Sequence, residues 1–145
     1  MPDFRFYHPI EVRYGDLDPQ GHVNNASYMT YLEQARMMYI RSLGLWPTNS
    51  FLDIGIILAD VHITFRAPIY LGQAVQVGVR VTSLGNKSLQ MENCIEEAGS
   101  GQELASVTTI LVAYDYRTGK TIPVPDDWRR AIAAFENIDP GLPAT

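Results

Sequence analysis

Cysteine is almost absent from this sequence. One thiol, Cys94, in 145 residues excludes an intramolecular disulfide framework and a Cys-based zinc site. Positive charge is scarce as well. Eleven Lys and Arg stand against sixteen Asp and Glu, which gives a net charge of −5 and a pI near 5.0. No dense Lys/Arg patch is on hand for a phosphate backbone, so a nucleic-acid partner is not expected. Long hydrophobic runs are missing, and none approaches the roughly 18–20 apolar residues that span a bilayer. The start, Met1-Pro2-Asp3-Phe4-Arg5, has no basic segment followed by an apolar stretch, so no signal peptide is expected. His8, Asp60 and His62 form no recognisable metal spacing, and no metal site is expected. These absences point to a soluble protein of a reducing cytoplasm.

What is present is an ordinary globular composition, 46% apolar and 19% charged. A chain of this length reads as one domain, here 1–138, with 139–145 as a flexible tail. It is long enough to bury about 68–70% of its unfolded surface. The segment Phe6 to Tyr14 alternates, with Phe6, Ile10, Val12 and Tyr14 on one face, as in a half-buried strand. Pro9 suggests an edge position or a bulge there. A loop, GDLDPQGHVNN, covers Gly15 to Asn25 and is dense in turn formers.

A helix is predicted over Ala26 to Leu43, with Asn24, Asn25 or Ser27 as its cap and Gly44 as its stop. Its apolar positions cover most of the circumference. Thr30, Glu33, Gln34 and Arg41 leave only a narrow polar stripe, so the helix should be buried. Strands follow. Val75, Val77, Val79 and Val81 alternate cleanly, as do Val61, Ile63 and Phe65, and Leu89 and Met91. Leu104 to Tyr116 becomes apolar on both faces, like a central strand. Turns at Gly85-Asn86-Lys87 and Gly99-Ser100-Gly101 make hairpins. Trp128, Ile132 and Phe135 give a short last helix one apolar stripe. The expectation is an α+β arrangement, a five-stranded antiparallel sheet wrapped around one long central helix, with a short C-terminal helix.

The stretch from Arg13 to Arg36, RYGDLDPQGHVNNASYMTYLEQAR, is the most informative. Its pattern, G-D-x-D-x-x-G-H-V-N-N-x-x-Y-x-x-Y-x-E-x-A-R, resembles that of the hotdog-fold acyl-CoA thioesterases of the 4-hydroxybenzoyl-CoA thioesterase-like group. The likeness extends more loosely through F-R-A-P-I-Y and G-K-x-x-P-V-P-D. It implies a hotdog fold, hydrolysis of an acyl-CoA thioester, and a homodimer or homotetramer with active sites at subunit interfaces. It implies no cofactor, coenzyme A being part of the substrate. It assigns the catalytic acid to Asp18 and the carbonyl-polarising backbone N–H to Asn25.

The chemistry of the loop agrees with that assignment. A helix start carries unpaired N–H groups and the positive end of the macrodipole, which suits a thioester oxygen becoming an oxyanion. A carboxylate opposite can attack the carbonyl carbon or activate water, and the residues leave both roles open. Taken alone, Asp18 reads first as a turn former or cap before Pro19, and the whole pattern reverses that preference. Asp16 reads as a structural residue that fixes the loop. His22 reads as a hydrogen-bonding residue that orients the loop or the substrate. Tyr28, one turn into the helix, is a core aromatic placed to line the acyl pocket, together with Met29, Leu58 or Phe65. Glu33 and Arg36 stand at pairing distance on the helix, in or near a dimer interface. Lys87, in a turn resembling one that meets the nucleotide end of coenzyme A in some relatives, is the leading cation for its phosphates, with Arg66 and Arg117 behind it. Cys94 reads as a small buried apolar residue. Two other functions fit the same fold: hydration of an enoyl-CoA, which needs an Asp and a His together, and an acyl-CoA sensor or interaction module without catalysis.

Overall fold

The computed structural model describes residues 4–141. Its elements run β1 (Phe6–Ile10), α1 (Asn25–Ser42), β2 (Ile56–Phe65), β3 (Val75–Leu84), β4 (Ser88–Glu97), β5 (Glu103–Asp115), β6 (Lys120–Thr121) and α2 (Asp126–Glu136), with single 3-10 turns at Tyr14–Asp16 and Phe51–Asp53. The strands lie in the order β1-β3-β4-β5-β2, and β6 pairs with β5. β1 pairs antiparallel with β3, and short turns make hairpins of β3–β4 and β4–β5. The chain divides into two compact units. The first takes in the described part of Met1–Tyr39 with Ile63–Val79 and Asn93–Val107; the second takes in Ile40–His62, Arg80–Glu92 and the described part of Thr108–Thr145.

In the first unit β1 is shorter than its alternation suggests. It stops at Ile10, and the Tyr14–Asp16 turn takes over because the Asp16 carboxylate accepts from the Arg13 backbone N–H at 3.0 Å. Pro9 lies on an edge strand, where a missing N–H costs no ladder bond on the open side. The helix begins one residue earlier than expected, at Asn25, since Asn24 is the cap: its Oδ1 accepts from the Ala26 N–H at 2.8 Å. Tyr28, Tyr31, Leu32, Ala35 and Tyr39 are buried, whereas Thr30, Glu33 and Gln34 are exposed, as the narrow polar stripe requires. Val75, Val77 and Val79 are buried on β3. Each such side chain stabilises the fold by about 1.5–3 kcal/mol relative to full exposure.

In the second unit the C-terminal end of α1 is closed by a Schellman motif. Leu45 N–H donates to the Ile40 carbonyl and Gly44 N–H to the Arg41 carbonyl, with Gly44 at φ +75° where a Cβ would be strained. β6 is an addition to the five expected strands. Its residues Lys120 and Thr121 pair with Asp115 and Tyr114. α2 buries Trp128 and Ile132. Arg129 is 2% exposed and donates to the carbonyls of Gly85, Asn86 and Pro140. The Pro140 carbonyl, which accepts from this buried guanidinium, lies in the tail expected to fray beyond Ile138. Residues 142–145 of that tail lie outside the described residues.

Candidate active site

The loop before α1 is a small hairpin built by its turn formers. Asp18-Pro19-Gln20-Gly21 closes with the Gly21 N–H on the Asp18 carbonyl at 3.0 Å, and Gly21 takes φ +85°. Asp18 N–H donates to the His22 carbonyl at 3.0 Å, and Leu17 bridges Val23. The Asp18 carboxylate, half-buried, accepts the Gln20 N–H on Oδ1 at 2.9 Å. Oδ2 has no hydrogen-bond partner among the described residues. Val23, fully buried, ties the loop to the Phe65–Tyr70 segment by donating to the Ile69 carbonyl at 2.8 Å.

Asp16 carries more than a turn. Its Oδ2 accepts from the Tyr31 hydroxyl at 2.7 Å and its carbonyl accepts from the Asn24 N–H at 2.8 Å, so one residue fixes both the cap and the loop to the helix. Burial first, and the hydrogen bond to Asp16 second, push the Tyr31 phenol well above its ordinary range. Spacing alone did not expose this hub, since Asp16 and Tyr31 are fifteen residues apart.

A cleft of about 260 Å3 opens at the start of α1, lined by His22, Asn25, Tyr28, Phe65, Arg66, Ala67 and Pro68. The Ala26 N–H is occupied by the cap and the Ser27 N–H bonds the Asn24 carbonyl. The Asn25 N–H finds no acceptor among the described residues. It is an open donor at the positive end of an 18-residue helix. Tyr28 is 2% exposed, stands edge-on to Phe65 at 4.9 Å, and has its phenol pushed up by burial. Its hydroxyl has no partner among the described residues. His22 directs Nδ1 toward the Val23 carbonyl at 3.3 Å and meets Tyr70 edge-on. Arg66 reaches Ser106 at 3.1 Å and Glu103 at 3.5 Å.

Three of the five expected site residues, His22, Asn25 and Tyr28, thus share this cleft. Asp18 sits at the base of the same loop and is not among the cleft's lining residues. Lys87 is exposed on the β3–β4 turn of the second unit. Of the candidate pocket residues, Phe65 lines the cleft with Tyr28, whereas Met29 and Leu58 do not. Ala67 and Pro68 were not singled out as site residues; the signal for them lay in the F-R-A-P-I-Y turn. No group of three or more His, Cys, Asp or Glu is placed to hold a metal ion among the described residues. No helix among them is long and apolar enough to cross a membrane.

An antiparallel sheet in this strand order, with a long helix inserted after the first strand and an open N–H at its start, defines the hotdog class. The chain belongs to the Thioesterase-like superfamily, whose profile matches residues 12–132. It is 26% identical to the long-chain acyl-CoA thioesterase FadM of Escherichia coli (strain K12), over 85% of this chain and 93% of that one. A thioesterase from Thermus thermophilus, crystallised with coenzyme A and Zn, superposes with a TM-score of 0.82 at 33% identity, covering 96% of this chain and 100% of that one. A 1,4-dihydroxy-2-naphthoyl-CoA thioesterase from Synechocystis gives 0.78 at 25% identity, covering 88% and 95%.

Proposed function

We propose that this chain is an acyl-CoA thioesterase, releasing a free acid and coenzyme A. The observation that carries the reading is the unpaired Asn25 N–H at the mouth of the Tyr28–Phe65 cleft. The names of its relatives support the substrate class. In this reading the thioester oxygen accepts the Asn25 N–H, and the helix end stabilises the charge that grows there. One such donor contributes roughly 2.7–4 kcal/mol in the transition state.

Asp18 supplies the carboxylate in one of two ways. As nucleophile, its free Oδ2 attacks the carbonyl carbon, the C–S bond breaks, and coenzyme A leaves as a thiolate that takes a proton from solvent. Water then cleaves the mixed anhydride and restores the carboxylate. As general base, it takes a proton from a water that attacks the carbonyl directly. His22 and Tyr28 hold the substrate, and Lys87 meets the phosphates of coenzyme A.

The working enzyme in this reading is a homodimer or homotetramer in the cytoplasm, with active sites between subunits. Two observations support the assembly: Asp18 stands outside the cleft of its own chain, and β2 is an edge strand exposing Ile57, Leu58 and Phe65.

The test is thiol release from a panel of short, medium, long and aromatic acyl-CoAs. Release from at least one is expected, and Asp18→Asn should lose most of the rate while staying folded. Release from none overturns the reading in favour of a ligand sensor. Hydration of an enoyl-CoA on the same panel, without thiol release, overturns it in favour of a hydratase.

A further inference from the structure

Arg36 is 5% exposed on α1. Its guanidinium makes no hydrogen bond and no ion pair among the described residues, and its Nε is sealed from solvent without a partner. Burial lowers its pKa, and the nearby charge of Glu33 opposes that shift without contact. A buried charge with nothing opposite costs far more than a buried neutral group, so Arg36 calls for an anion that none of its contacts among the described residues supplies.

The surroundings say which anion. Arg36 lines neither the cleft at Asn25 nor the larger cleft between β1 and α1. The matching carboxylate is instead three residues away on the same helix. Glu33 is exposed and has no hydrogen bond or ion pair among the described residues. Met29 and Met37, half-buried at i−4 and i+4 from Glu33, flank it with apolar surface. Two copies of this helix stripe crossing antiparallel about a two-fold axis, with the axis between positions 34 and 35, bring each Glu33 opposite the other copy's Arg36. The offset within one helix, about 4.5 Å along its axis at ~1.5 Å per residue, is the same in both copies, so both contacts form together.

We propose that Arg36 and Glu33 form two reciprocal ion pairs across a two-fold interface between copies of this chain. The surface is self-complementary: each protomer presents both the buried cation and the exposed anion that completes it. The proposal rests on the homo-oligomer reading above and assigns it residues.

The test uses the full chain with Glu33→Arg and Arg36→Glu, purified separately and then mixed under two different tags. Each variant alone places like charges at both contacts, and its dimer dissociation constant should rise at least about tenfold. Mixed, the two restore opposite charges at both contacts, and heterodimers should exceed the statistical share in native mass spectrometry. A pair confined to one chain gives no such preference, and a statistical mixture overturns the proposal. If Arg36→Glu does not fold, Glu33→Gln should still weaken the wild-type dimer about tenfold, and an unchanged constant overturns the proposal. A wild-type dimer indifferent to all these changes leaves the oligomer reading standing and removes only this pair. A monomeric wild type removes both.

Discussion

The Tyr31 hydroxyl donates to Asp16 Oδ2 at 2.7 Å, and this bond joins the first aspartate of the GDLD loop motif to the buried face of α1. The same oxygen accepts the Arg13 N–H, and the same residue's carbonyl receives the Asn24 N–H. The geometry of the Asn25 donor therefore depends on a tyrosine nearly two turns down the helix.

Tyr31→Phe should cost about 1–3 kcal/mol of stability, the usual loss when a hydrogen bond to a charged group goes and a carboxylate is left short of a donor. Denaturant unfolding measures it. Thiol release should fall in parallel at a temperature where the variant remains folded, because the loop and cap lose their tie. Full activity in a destabilised variant would separate the loop from catalysis.

Alkaline titration should weaken the fold from about pH 9 upward. Burial first, then the charge of Glu96, push the Cys94 thiol from 9.0 up to about 12. Between those values the unfolded chain has released the proton and the folded one has kept it, so stability falls as pH rises. Below pH 9 this contribution is fully present. Cys94→Ala should flatten the fall between pH 9 and 12 in equilibrium unfolding. The same burial should leave the native thiol slow toward thiol reagents at about pH 8, so it does not obscure released coenzyme A.

Gly78→Ala should destabilise by about 1–3 kcal/mol, the typical cost of overpacking a filled core. A Cβ on Gly78 would stand 2.8 Å from Cys94 Sγ and 2.9 Å from the Phe4 ring. Thermal unfolding checks it, and the double change Gly78→Ala with Cys94→Ala should recover part of the loss.

Tyr28→Phe should leave stability within about 0.5 kcal/mol, because the hydroxyl has no partner to lose and the ring keeps its edge contact with Phe65. Tyr28→Ala should cost about 3–5 kcal/mol and shift the preferred acyl group toward bulkier ones. Unfolding curves and relative kcat/KM across the acyl panel measure the two effects.

Legibility in the sequence followed the range of the interaction. The alternation of Val75, Val77, Val79 and Val81, the stop at Gly44 and the edge position of Pro9 rest on local sterics and period, and each is found in the fold. The start of α1 shifted by one residue because three polar side chains competed for the cap and only the geometry of Asn24 decided it. β6 is absent from the sequence expectation because two residues have no period. At the site, His22, Asn25 and Tyr28 are close in sequence and meet in one cleft. The Phe65–Pro68 wall reaches that cleft from another part of the chain, and only the resemblance hinted at it. Glu33 and Arg36 have the spacing of a helical ion pair but do not make one, since spacing gives opportunity and burial decides where the guanidinium lies.

Arg129 ties the carbonyls of Gly85 and Asn86 from a position more than forty residues further along. Synthesis proceeds from the N-terminus. The hairpin tip bearing Lys87 thus waits, on the ribosome, for more than forty further residues to emerge before its carbonyls find their guanidinium. Nascent chains stalled ahead of that arginine should carry the tip in a looser form.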